Sequence, residues 1–80
     1  MTVTVLLFAS YAATLGARSI DVELPVGATL RDVLGHIRAL PGADALPSEP
    51  LLAVNERYAR AERVLAAGDE VAIIPPVAGG

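Results

Sequence analysis

Thr29-Leu30-Arg31-Asp32-Val33-Leu34-Gly35-His36-Ile37-Arg38-Ala39-Leu40 is the stretch on which the fold turns. Leu30, Val33, Leu34, Ile37 and Leu40 recur at i, i+3, i+4, i+7 and i+10, which lines them along one face of a helix. Thr29 is placed to cap the N-terminus, and Asp32 three residues on makes a capping box with Asp in place of Glu. Pro41-Gly42 terminates the segment. One side of this helix must therefore be covered, while Arg31 and Arg38 point to water. Gly35 costs about 1 kcal/mol against alanine in a helix interior, which marks a candidate close approach to a neighbouring element. His36 stands beside the apolar stripe and reads as a packed side chain rather than a catalytic or metal-bound one.

Outward from the helix the period changes from 3.6 to 2. Thr2-Val3-Thr4-Val5-Leu6-Leu7-Phe8-Ala9 is β-branched and then wholly apolar, the pattern of a central, largely buried strand. Ser10 to Gly16 reads as a short helix or turn with Gly16 as its stop. Ser19-Ile20-Asp21-Val22-Glu23-Leu24 alternates polar and apolar, a half-buried strand ended by Pro25-Val26-Gly27. The short Gly16–Ser19 connection predicts an antiparallel hairpin between these two strands. Beyond the helix, Ala43 to Pro50 is a loop, Leu51-Leu52-Ala53-Val54 a short strand, Asn55-Glu56-Arg57 a turn and Tyr58-Ala59 a further extended piece. Leu65-Ala66-Ala67-Gly68-Asp69 turns the chain into Glu70-Val71-Ala72-Ile73-Ile74, a strong final strand. The order predicts an α+β fold in which one main helix lies across a mixed sheet, with the first and last strands side by side at its centre. That arrangement is the β-grasp, or ubiquitin-like, fold, expected here as a single domain over residues 1–80.

The composition removes most catalytic chemistries. The 80 residues include no cysteine and one histidine, so zinc sites, iron–sulfur clusters and cysteine nucleophiles have no ligands to build on. A chain of this length buries only about 60% of its unfolded surface, and with no disulfide the core must be dense. The 54% hydrophobic content and mean hydropathy of +0.55 meet that need. A net charge of −3 and a pI near 4.8 argue against nucleic acid as the partner. All six basic residues are arginine. The apolar run at the start is too short to span a membrane and has no Lys or Arg before it, unlike a signal peptide. The expectation is a soluble, cytoplasmic protein that begins directly with a strand.

The chemistry that remains is at the end of the chain. Pro75-Pro76 cannot go on donating to a sheet ladder, so the pair ends the last strand and projects the final residues away from the sheet. Val77 and Ala78 are small. Gly79 and Gly80 have no Cβ, so a narrow channel can close around their backbone. Residues 75–80 thus read as a flexible tail presenting a terminal carboxylate; a frayed terminus without function is the alternative. A free carboxylate is a poor electrophile, but adenylation with ATP makes its carbonyl reactive, and a terminal glycine leaves that carbonyl open to attack. A chain without cysteine or lysine offers no thiol or lysine amine of its own to compete.

Val54-Asn55, Leu65, Gly68-Asp69-Glu70-Val71 and Pro75-Pro76-Val77-Ala78-Gly79-Gly80, with the opening Val5-Leu6-Leu7-Phe8-Ala9, resemble the MoaD family within the MoaD/ThiS group of ubiquitin-like proteins. The resemblance covers the whole chain. It implies a sulfur carrier for molybdenum cofactor biosynthesis, a subunit that is not catalytic alone and binds no cofactor. A MoeB-like, E1-type enzyme would consume ATP to adenylate Gly80, next to Gly79, and a sulfurtransferase system would convert it to a thiocarboxylate. The tail would then enter a MoaE-like large subunit, in a complex of two small and two large subunits, and pass sulfur to cyclic pyranopterin monophosphate. The resemblance also implies partner-binding roles for Phe8, Tyr58, Ile74, Pro75, Pro76, Val77 and Ala78. For Phe8 and Ile74 ordinary core packing is the competing reading, whereas Tyr58 lies beside a turn where its ring is expected to be exposed.

One departure concerns the first helix, where many members carry an Arg-Glu pair and this chain has Ala12-Ala13. Arg57, Arg60 and Arg63 are candidates to replace that arginine, or are simply solvated. Glu62, Asp69 and Glu70 read as turn and surface acids. Competing readings keep the carrier chemistry but change the recipient, to thiamine or cysteine synthesis or tRNA thiolation, or make the chain a modifier conjugated through Gly80 to lysines of other proteins. A non-reactive interaction domain is the last alternative.

Overall fold

The computed structural model describes residues 1–47 and 49–75. Its elements run β1 (Thr2–Leu7), α1 (Ala9–Leu15), β2 (Ser19–Glu23), α2 (Leu30–Arg38), a 3-10 turn (Ala43–Ala45), β3 (Leu51–Val54), β4 (Arg57–Tyr58) and β5 (Glu70–Ile74). The strands form one mixed sheet in the order β2-β1-β5-β3-β4. β1 and β5 are parallel neighbours and every other pairing is antiparallel. The two most apolar strands are therefore adjacent and flanked on both sides, which is where continuous apolar runs are stable.

Alternation divides each strand between two faces. Val3, Val5 and Leu7 of β1, Val22 of β2, Leu52 and Val54 of β3, and Val71 and Ile73 of β5 are buried. They share one core with Leu30, Val33, Leu34 and Ile37 of α2. The helix begins as its residues dictate: the Thr29 side chain and the Asp32 backbone, and the Asp32 side chain and the Thr29 backbone, close the capping box, the latter bond at 2.8 Å. Its last helical residue is Arg38, short of Leu40, which still packs partly buried against the core. Arg31 and Arg38 are exposed as expected; Arg31 reaches Glu62 at 3.6 Å and Arg38 donates to the Pro47 carbonyl at 2.8 Å.

Two local expectations are corrected, those for His36 and Gly35, whereas β1 and β2 pair antiparallel as expected, with α1 as the short helix between them. Gly16 ends that helix in the left-handed region at φ 75°, where a side chain is disfavoured. His36 is exposed rather than packed, because α2 buries only the width of its four-residue stripe. Gly35 marks no close approach: a Cβ built on it meets nothing within 4 Å. Gly35→Ala is therefore expected to stabilise the fold by about 0.5–1 kcal/mol, measured as a rise in the urea midpoint at unchanged slope.

Candidate functional site

The site is the end of the sheet at which β5 finishes with Ile74, followed by Pro75, and the register sets their neighbours. Leu7 of β1 pairs with Ile73, which places Phe8 alongside the end of β5, and Leu51 of β3 pairs with Ile74. Tyr58 of β4 pairs with Ala53, one strand further out. Phe8 is 46% exposed, Leu51 48% and Tyr58 76%. Ile74 and Pro75 are half-buried.

Phe8 is thus no core residue; its backbone stands at the N-cap of α1 with φ −119°, and its carbonyl accepts from Tyr11 at 3.0 Å. Tyr11, buried at 5% exposure, takes the core position of that helix. Ile74 lies on the sheet face turned away from α2, in line with Ala72 of its own strand and beside Leu51. The structure therefore brings Phe8, Tyr58, Ile74 and Pro75 to one apolar end, and adds Leu51 and the half-buried Leu6, which the sequence reading left out. Pro76, Val77, Ala78, Gly79 and Gly80 lie outside the described residues.

The turn that places β4 is held by a polar clasp. Asn55 and Glu56 both have positive φ, 50° and 72°, as a two-residue hairpin turn that matches strand twist requires. Asn tolerates this region better than most residues. The Asn55 side-chain amide donates to Asp69 Oδ1 at 3.0 Å and its carbonyl oxygen accepts from the Glu70 backbone at 3.0 Å. Asp69 Oδ2 accepts from the Ala66 backbone at 2.7 Å. The β3–β4 turn and the turn entering β5 are thereby tied together at the end of the sheet opposite the apolar patch.

The Ala66 backbone hydrogen bond, then that from Asn55, holds the Asp69 carboxyl below the usual carboxylate range, with Arg63 nearby acting the same way and burial opposing it. Because the folded pKa is the lower one, its contribution to stability is present above the unfolded value and is lost as pH falls through the folded one. Stability is expected to decline below about pH 4, and Asp69→Ala to lower stability at neutral pH while flattening that acid limb. Urea titrations at a series of pH values check both. No group of three or more His, Asp or Glu among the described residues could hold a metal ion, and no described helix is long and apolar enough to cross a membrane.

A helix across a mixed five-stranded sheet, with the central parallel strand leaving from an exposed apolar end, defines a ubiquitin-like β-grasp protein. The chain belongs to the ThiS family, whose model matches residues 5–80. It is 39% identical to the molybdopterin synthase sulfur carrier subunit of Chlamydomonas reinhardtii over 83 aligned positions that cover 100% of both chains. Among solved structures it is similar to the small archaeal modifier protein SAMP1 of Haloferax volcanii, at a TM-score of 0.87 and 30% identity over 100% of each chain. It is also similar to a putative molybdopterin converting factor subunit 1 of Pyrococcus furiosus, at a TM-score of 0.81 and 30% identity, covering 96% of this chain and 99% of that one.

Proposed function

We propose that this chain is the sulfur-carrier subunit of a molybdopterin synthase, a co-substrate rather than a catalyst on its own. The observation that carries the reading is the full-length likeness to a carrier subunit of that name. In this reading a carboxylate oxygen of Gly80 attacks the α-phosphorus of ATP on a MoeB-like activating enzyme, and pyrophosphate leaves. A persulfide of a sulfurtransferase system then attacks the acyl-adenylate and AMP leaves; a thiol of that system cleaves the resulting acyl disulfide, forming a disulfide of its own, and Gly80 ends as a thiocarboxylate. Gly79 and Gly80 keep the reacting carbonyl unobstructed, and ATP is consumed by the activating enzyme rather than held by this chain.

The apolar end formed by Phe8, Leu51, Tyr58, Ile74 and Pro75 supports docking on a large, MoaE-like subunit, since exposed apolar side chains grouped at one place mark a partner surface. Pro76, Val77 and Ala78 carry the reactive end into that subunit, whose side chains perform the transfer to cyclic pyranopterin monophosphate.

The test is the intact mass of the chain after incubation with a MoeB-type enzyme, ATP and a sulfur donor. Replacement of one oxygen by sulfur, absent when Gly80 is deleted, is the expected result. No mass change with the activating enzyme of the same genome, shown active on another carrier, overturns it. The likeness to SAMP1 favours a second reading, a protein modifier joined through Gly80 to other proteins. Covalent adducts on target lysines, found by peptide mass spectrometry, would be its signature.

A further inference from the structure

The sheet face turned away from α2 falls into two halves. Towards the end of β5 it is apolar, with Leu6, Ala72, Ile74, Leu51 and the outlying Tyr58. Towards the other end it is acidic. Thr4 pairs with Asp21 on one side and with Glu70 on the other, and Thr2 pairs with Glu23. All three carboxylates are exposed. The Thr4 hydroxyl donates to Asp21 at 3.0 Å and the Thr2 hydroxyl to Glu23, which orients two of the acids without neutralising them. None of the three forms an ion pair among the described residues. No strand position on this face is an arginine, and the chain has no lysine.

We infer that this face is one docking surface in two halves, and that the partner seated on it presents cationic side chains opposite Asp21, Glu23 and Glu70. The inference rests on the docking role proposed above and names the charge of the partner. With strands spaced by about 4.8 Å, Asp21 and Glu70 stand roughly 10 Å apart across β1. That is comparable to the Debye length at physiological salt, so the field of the three acids adds. Acids on an edge strand can serve only to block strand pairing, and β2 is such an edge. Glu70, however, is on the central strand β5, where no edge needs guarding. Its alignment with Asp21 and Glu23 makes a field that continues the apolar patch on the same face.

The experiment is the rate of association with the purified large subunit of molybdopterin synthase from the same genome, at low and high salt. Wild type is compared with D21N/E23Q/E70Q and with L51D on the apolar half. The triple variant is expected to associate about tenfold more slowly at low salt and to lose most of the salt dependence. E70Q alone, which keeps both threonine hydrogen bonds, shifts the rate the same way by less. L51D loses affinity at both salt concentrations. An unchanged or faster rate for the triple variant overturns the inference, and if L51D is still impaired the docking reading survives. Undiminished binding by both variants overturns the two together.

Discussion

Ile73→Ala is expected to cost about 3 kcal/mol and Ile74→Ala only about 1 kcal/mol, although the two residues are adjacent on β5. Ile73 has no exposed surface and pairs with Leu7 of β1 on one side and Leu52 of β3 on the other, below the helix. Truncating it removes the transfer energy of the lost methyl and methylene groups and leaves a cavity that a rigid sheet cannot collapse into. Ile74 points to the opposite face and is partly exposed, so its truncation opens no enclosed cavity. An 80-residue domain carries roughly 4–12 kcal/mol in total. The first variant therefore forfeits a large share of stability and is expected to melt about 12–24 °C lower. Denaturant unfolding of both variants checks the contrast. Equal losses would mean that Ile74 is core and that the apolar end is less exposed than its neighbours Phe8 and Leu51.

That pair also shows what a sequence can convey about this fold. The helix was legible because its signals are local: five apolar residues at helical spacing and a capping box closed within one turn. The central pair β1 and β5 was legible because only flanked strands tolerate runs as apolar as Leu6-Leu7 and Ile73-Ile74. Which face a side chain meets is harder. Leu51-Leu52-Ala53-Val54 is apolar throughout, so alternation could not separate the exposed Leu51 from the buried Leu52. Leu51 joins the candidate site only through its pairing with Ile74, a contact across more than twenty residues. The exposure of His36 is hidden for a related reason. Helical spacing puts it at the border of the stripe, and the limit of burial is set by how α2 sits on the sheet.

The candidate site divides in the same way. Phe8 and Tyr58 are singled out by resemblance. The exposure of Phe8 excludes the core reading, which no periodicity in the residues could do, while that of Tyr58 is the one its place beside a turn predicts. The grouping of Asp21, Glu23 and Glu70 depends on the register of β1 with both of its neighbours. Two of those acids follow from alternation along β2; the third arrives from the other end of the chain. The Asn55–Asp69 clasp was visible only as two residues shared with a family, and its geometry supplies the physical reason: one side chain closes two turns.

Gly79→Val is expected to leave stability unchanged and to slow sulfur loading about a hundredfold. Residue 79 lies five positions beyond the end of β5, in the tail that the proposed function hands to other enzymes rather than to the core, so the melting temperature is expected to match wild type. Loading differs because adenylation requires the Gly80 carboxylate to sit in line with the α-phosphorus of ATP, inside another protein. A β-branched side chain one residue away widens the segment and restricts its backbone to fewer conformations. Displacing a reacting group by about 1 Å is enough to cost roughly 10²-fold in rate. The measurement is the initial rate of thiocarboxylate formation by intact mass, with the melting curve of the same preparation. Loading at the wild-type rate would show that no narrow channel surrounds this backbone, and the two terminal glycines would then need another explanation than access. Slow loading with an unaltered melt would separate the two halves of the molecule's design: a sheet and helix that only have to be stable, and a terminus that only has to fit.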